Sequence, residues 1–272
     1  MIENETRISD ECLHYFKTFG FVVFRRFLPF EDLEVLSNEL EEGLSAQFPH
    51  EPFDGSRRHS ARMFDESTPF FASLMEDSRF LTPAQQICGE DVLAVGIDAN
   101  RYVGNTIWHP DSPITTQSAV KYVFYLDPVS GDSGALRVIP GTHLLRGQER
   151  IEFTDDIGEH PIEDIPCTVI DTEPGDVIAF DIRIWHASYG GGNDRRSCNL
   201  DYFKNPQTPK EIKEMLDLGA RHARSVKTYG TKGQFKYPKT WLDNPHNSPI
   251  RKRWIDRFYE MGYFDQPNVG EV

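Results

Sequence analysis

Trp108-His109-Pro110-Asp111, together with Trp185-His186 and Arg195-Arg196 further along, is where the reading of this chain begins. In a β-strand, residues i and i+2 point to the same face, so His109 and Asp111 can offer an imidazole and a carboxylate to one cation. Pro110 has no N–H to give to a ladder, which puts the pair at a strand end or a sheet edge. About 1.4 His-x-acid triplets are expected by chance from nine histidines and 43 acidic residues, and one occurs, so the triplet needs its company to carry weight.

That company lies in residues 173–202. Pro174-Gly175-Asp176 signals a turn, and the β-branched and aromatic residues after it predict a strand ending at His186. Gly190-Gly191-Gly192-Asn193-Asp194 reverses the chain, and residues 195–202 return as the next strand. Paired strands lie about 4.8 Å apart, so Arg195 comes back close to His186, with Arg196 on the opposite face. Two histidines and one carboxylate on one side of a divalent ion form the donor set of non-haem Fe(II) oxygenases, with positions left open. Structural zinc sites want four ligands, usually with cysteine, and Cys12, Cys88, Cys167 and Cys198 are scattered singly. The planar guanidinium of Arg195 matches a carboxylate bidentately, which a lysine does not.

At this point the residues resemble the phytanoyl-CoA dioxygenase-like branch of the Fe(II)/2-oxoglutarate oxygenases. The matching pieces are Phe-Gly-Phe-Val-Val-Phe at 19–24, Trp-His-Pro-Asp at 108–111 and Gly-Ala-Leu-Arg-Val-Ile-Pro-Gly-Thr-His at 134–143. Pro-Gly-Asp-Val at 174–177, His186 and Arg195 complete the set, over roughly residues 8 to 203. The resemblance implies a mainly β chain with flanking α-helices, folded as a double-stranded β-helix, a cupin-like jelly-roll barrel. It implies Fe(II) on His109, Asp111 and His186, O₂ as co-reactant, and 2-oxoglutarate with its far carboxylate on Arg195. The His186-to-Arg195 interval is two residues shorter than usual in the family, and counting back from Tyr202 favours Arg195 over Arg196. Asn100 matches a residue that donates to the near carboxylate of 2-oxoglutarate. His143 matches a histidine near the iron in relatives but is read as a corner-holding structural residue. Halogenating relatives have a small residue at the position of Asp111, so a carboxylate there implies oxygenation. The expected reaction is oxidation, foremost hydroxylation, of a C–H bond in a small molecule such as a secondary metabolite, with release of succinate and CO₂; desaturation, cyclisation and epimerisation stay open.

Composition sets bounds around that reading. A formal charge of −14 argues against nucleic acid as a partner. The single cysteines fit reduced thiols, the N-terminal Met-Ile-Glu-Asn-Glu does not read as a leader, and no apolar run reaches a membrane span, so a cytoplasmic protein, monomer or homodimer, is expected. One domain over 1–272 is expected, with a helical N-terminal part at 8–48, a barrel core at about 90–204 and a helical extension at 205–272.

Along the chain, Ser9 and Gly20 bracket a helix, a strand follows at Phe21–Phe24, and Pro29 opens a helix with Leu33, Leu36, Leu40 and Leu44 inside and Glu39, Glu41 and Glu42 outside. Residues 49–75 read as a solvated loop, or as a lid whose Arg57, Arg58 and Arg62 meet an anionic substrate group. Val92–Tyr102 and Ala119–Leu126 read as strands. On the second, Lys121 either points inward to assist Arg195 with the cosubstrate or snorkels to water. Residues 154–166 read as an acidic surface loop. Trp108, Trp185, Phe180 and Tyr102 are candidates for aromatic walls of the site. Thr208 and Glu211 form a capping box, and Ser248-Pro249 starts a last helix that either braces the barrel or makes a dimer contact. Two rival readings are a cupin-type barrel using Mn, Zn or Ni for non-redox chemistry and a non-catalytic ligand-binding barrel.

Overall fold

The structure, a computed structural model, describes residues 6–64, 66–114, 116–228, 237–243 and 248–265; the N-terminal five residues used in the leader reading lie outside it. Helix α1 (Asp10–Phe19) starts where the Ser9 hydroxyl accepts from Cys12 N–H and stops at Gly20, whose φ of +85° is left-handed. Strand β1 (Phe21–Phe24) follows, then α2 (Phe30–Gln47), which buries Leu36, Leu40 and Leu44. Glu39 is not outside as expected: it is buried, and its carboxylate accepts from the N–H groups of Phe70 and Phe71 at 2.8 and 2.9 Å. Those donors open α3 (Pro69–Leu74), and a carboxylate is stabilising where a helix presents unpaired N–H groups.

Residues 49–75 are more than a loop. They hold β2 (His59–Arg62), which pairs antiparallel with β3 (Val92–Tyr102), and they bury Met63, Phe64, Phe71 and Leu74. The charges around His59 mask a strand whose apolar support comes from a distant partner. Helix α4 (Ser78–Cys88) leads into β3, and β4 (Thr106–His109), β5 (Ala119–Tyr125), β6 (Leu136–Ile139), β7 (Thr168–Ile170), β8 (Val177–Asp181), β9 (Trp185–Ser188) and β10 (Arg195–Lys204) follow. The larger sheet runs β1-β8-β5-β10-β3-β2 and the smaller β4-β9-β6-β7. From β3 to β10 the chain alternates between the sheets, with β6 and β7 consecutive in the smaller one, which makes four strands face four in a jelly roll.

Between β6 and β7 the expected acidic loop is instead α5 (Gly147–Gly158) and a 3₁₀ turn at Ile162–Asp164. Phe153 and Ile157, one helical turn apart, dock this excursion on the outer side of the smaller sheet, where Trp108 and Trp185 also lie. At the other end, the α6 (Pro209–Thr228) capping box forms, with Thr208 N–H donating to Glu211 Oε2 and Glu211 N–H to Thr208 Oγ1. Two further helices, α7 (Lys239–Asp243) and α8 (Pro249–Glu260), close the described chain. Trp254 of α8 is fully buried and its indole N–H donates to Val92 C=O at 2.8 Å, so this helix braces the barrel. His143 is the corner residue expected: it is buried, its Nε2 lies 3.1 Å from Lys17 C=O, and its ring occupies the space beside Gly20 where a Cβ would come within 2.5 Å.

The interior between the sheets has two halves. Between β1, β8, β5 and the β6–β7 side it is hydrocarbon, including Phe21, Val123, Ile178, Leu136 and Val138. Toward β10, β3 and β2 the same inner face turns polar. Register places Tyr102 opposite Arg195, Asn100 opposite Ser197 and Ser60, Asp98 opposite Asn199 and Arg62, and Lys121 opposite Asp201. Such a face would be costly as dry core, because buried polar groups need partners.

Candidate active site

At the seam between those halves, His109 on β4 and His186 on β9 face each other as direct register partners, with ring centroids 4.4 Å apart. Their tryptophan neighbours, Trp108 and Trp185, point the other way because strand side chains alternate, and Trp108 donates its indole N–H to Ile162 C=O on the outer side. The two tryptophans therefore do not wall the site, whereas Tyr102 and Phe180 do. Asp111 lies just past the end of β4, where Pro110 ends the ladder, and its Oδ1 is 3.7 Å from Nε2 of each histidine. The three candidate ligand atoms all lie within 4.8 Å of one another.

The hydrogen bonds around the trio prepare it for a cation. Nδ1 of His109 sits 2.8 Å from Ile107 C=O, and Nδ1 of His186 sits 3.1 Å from Ile184 C=O. With Nδ1–H given to a carbonyl, each ring keeps its lone pair on Nε2, facing Asp111. Burial pushes the His186 imidazole down to about 4, keeping it neutral at pH 7, the form with a lone pair to offer a cation. Burial opposes the charge of Asp111, but the Lys121 ammonium and the two imidazoles more than offset it and hold the carboxyl well below its usual range. Burial also opposes charge on His109, and the Asp111 carboxylate overcomes it and raises that imidazole.

A cavity of about 350 Å³ opens from the trio. On its wall, Arg195 is 6 % exposed, its guanidinium 4.9 Å from the Tyr102 ring centroid. Nη2 donates to Ser188 Oγ at 3.1 Å, and Nε and Nη1 are buried without any partner. An unpaired buried donor costs about 1–3 kcal/mol, more on a charged group, so this guanidinium is built for an anion. Two glycines make room for it: a Cβ on Gly134 or Gly191 would come within 1.7 or 2.4 Å of Nη1. Arg196 lies on the outer face, bound to Asp127 and Ser37, and does not line the cavity.

The other expected residues divide. Lys121 does line the cavity, but its Nζ donates to Asp111 Oδ2 at 2.8 Å and lies 3.8 Å from Asp201 Oδ1, beside the acid rather than beside Arg195. Asn100 is fully buried and is not brought to the cavity. Its Nδ2 donates to Asp98 Oδ1 and its Oδ1 accepts from Arg58 Nε, both at 2.9 Å, so the amide is spent on its neighbours. Of the arginines in 57–62, Arg58 reaches the cavity, stacked 4.4 Å over Tyr102, while Arg57 pairs with Glu51 at the surface.

Two histidine Nε2 atoms, a carboxylate and open cavity on one side suit a divalent ion with vacant positions, and the orphaned guanidinium suits a dicarboxylate. A family model, phytanoyl-CoA dioxygenase (PhyH), matches residues 16–198, two thirds of the chain. The chain belongs to the phytanoyl-CoA dioxygenase family. It is thus an oxygenase of the dioxygenase type, with iron and 2-oxoglutarate as its cofactors. Solved structures share its fold. HygX from Streptomyces hygroscopicus with nickel and 2-oxoglutarate bound is 20 % identical, with 74 % of this chain and 89 % of that one covered at a TM-score of 0.60. The α-ketoglutarate-dependent carbocyclase SnoK from nogalamycin biosynthesis is 18 % identical, with 75 % and 85 % covered at 0.59. The epimerase SnoN from nogalamycin biosynthesis is 18 % identical, with 72 % and 83 % covered at 0.57. No curated protein matches the chain.

In this dioxygenase-family chain, sequence reading missed Ser188, Thr106, Ser197 and Asn199, all of which line the cavity. Ser188 follows His186 by two and Ser197 and Asn199 follow Arg195 by two and four, so strand alternation applied outward from the first residues would have found them. Thr106 donates to Tyr102 Oη and receives from Ser188 Oγ, which links the arginine's support to β4. Among the described residues, no helix is long and apolar enough to cross a membrane.

Proposed function

We propose that His109 Nε2, Asp111 Oδ1 and His186 Nε2 hold one Fe(II), that Arg195 binds the far carboxylate of 2-oxoglutarate, and that the enzyme hydroxylates a C–H bond of a polar small molecule. The observation that carries this is the conjunction, in one cavity, of the His-Asp-His trio with a buried guanidinium that has two unpaired nitrogens. When bound, Fe(II) with 2-oxoglutarate and O₂ supplies the oxidising chemistry, by which the oxo acid becomes succinate and CO₂ and R–H becomes R–OH.

The protein's part is binding, orientation and exclusion of water. Arg195, held by Ser188 and the Tyr102 face, fixes one end of the cosubstrate with a charge-assisted pair. Phe180, its ring 4.8 Å from that of His186, shields the buried histidine. Beyond the ligands, Ser197 and Asn199 line the cavity, and Asn199 Nδ2 donates to Asp98 Oδ1, leaving its carbonyl oxygen as an acceptor. A wall of this chemistry suits a substrate with hydroxyl or amino groups near the reacting carbon, in keeping with hygromycin B bound to HygX, rather than an all-hydrocarbon chain. The full chain should form succinate from 2-oxoglutarate only with O₂ and Fe(II) both present. Metal-dependent turnover of a ligand without O₂ or 2-oxoglutarate would favour a non-redox cupin reading, and no turnover with intact ligand binding a non-catalytic one.

A further inference from the structure

Asp111 has two oxygens, and the structure gives them different company. Oδ1 is equidistant, at 3.7 Å, from the two histidine Nε2 atoms, while Oδ2 accepts from Lys121 Nζ at 2.8 Å. Lys121 is in turn the direct register partner of Asp201 across β5 and β10, which sets their Cβ atoms about 5 Å apart. Nζ lies 3.8 Å from Asp201 Oδ1, a buried oxygen with no hydrogen bond. The ammonium is thus held between a rigid strand position, a backing carboxylate and one oxygen of the candidate ligand.

We propose that Lys121, backed by Asp201, confines Asp111 to single-oxygen ligation of the metal. The inference rests on the reading of His109, Asp111 and His186 as ligands. Carboxylates bind cations through one oxygen or both, and the second oxygen consumes a coordination position. Three protein donor atoms on one face leave the opposite positions open. A 2-oxo acid that chelates through carboxylate and ketone needs two of those three positions, and O₂ needs the last, so a lysine that keeps Oδ2 occupied keeps that last position open without touching the cosubstrate. This makes Lys121 a positioning residue.

The test uses the full chain loaded with Co(II), a visible reporter of coordination, before any 2-oxoglutarate is added. Wild type, K121M and K121R should each take up one Co(II) per chain. The K121M ligand-field spectrum should differ from wild type, and K121R should restore it. On later titration, 2-oxoglutarate should still bind K121M, because two positions remain for its carboxylate and ketone. D201N, which removes the backing charge and keeps the ammonium, should move the spectrum in the same direction by less, and it decides the matter should K121M not fold. A K121M spectrum that superimposes on wild type, even with weakened 2-oxoglutarate binding, overturns the proposal and leaves Lys121 as a direct cosubstrate contact. Loss of Co(II) from folded K121M overturns it as well. A wild-type chain that takes up no Co(II) overturns the metal-site reading, and this inference with it.

Discussion

His109 and His186 are paired residues of neighbouring antiparallel strands, rings 4.4 Å apart, although 77 positions separate them in the chain. Because the ladder between β4 and β9 sets their spacing, neither needs the metal to find the other. His186→Ala should therefore keep the fold while metal content drops from about one ion per chain to a small fraction and succinate formation disappears. Metal analysis and a thermal melt of the same sample check both halves; an active, metal-loaded variant would remove His186 from the site.

Arg195→Ala should raise the KM for 2-oxoglutarate by about 100-fold or more, since two charge-assisted hydrogen bonds of about 1.5–3 kcal/mol each are lost. Arg196→Ala should change it by less than about threefold, because that guanidinium serves Asp127 and Ser37 on the outer face. Steady-state kinetics on the pair settles the register, and the reverse pattern would shift the anchor by one residue.

Gly134 has a φ of +93°, and a methyl there would land within 1.7 Å of Arg195 Nη1. Gly134→Ala should weaken 2-oxoglutarate binding at least tenfold, with Fe(II) binding retained, as measured by anaerobic titration. Unchanged affinity would mean the guanidinium has room the packing does not show.

Trp254→Ala removes a fully buried indole and its bond to Val92 C=O. A loss of about 3–5 kcal/mol is expected from large-to-small changes of this kind, read as a lower denaturant midpoint. The KM for 2-oxoglutarate should not move, since the residue lies outside the cavity. A loss below about 1 kcal/mol would make α8 an appendage rather than a brace.

The capping box gives a pH-dependent signal. Backbone N–H groups of Gln207 and Thr208 draw Glu211 down to about 2, below the 4.5 of an ordinary glutamate. A folded value under the unfolded one means that the cap's support is complete above pH 4.5 and is lost as pH falls from there toward 2. Amide exchange at Thr208 should accelerate across that window and should be pH-independent in Glu211→Gln once intrinsic exchange is subtracted.

Much of the architecture was legible because local chemistry and tertiary fold agree. Ser9 and Gly20 end α1, Val92–Tyr102 is one strand and Thr208 and Glu211 cap α6, while the jelly roll was what the family resemblance implied. Segments whose burial depends on distant partners were not legible. His59–Arg62 looks like a charged loop until β3 supplies its ladder, Glu39 looks exposed until α3 offers it N–H groups, and residues 154–166 look like surface until Ile157, Ile162 and Ile165 join Trp108 and Trp185 in one apolar cluster.

By itself, the sequence determined which residue types were on hand for a metal and an oxo acid, and which neighbours must face opposite ways, because alternation along a strand is a local property of the backbone. Only the tertiary structure decided that Arg195 and not Arg196 enters the cavity, that Asn100 stays outside it, and that Lys121 sits on Asp111. Those choices depend on cross-strand register and on the packing of one sheet against the other, which place residues tens of positions apart within hydrogen-bonding reach and have no signature in any single stretch of chain.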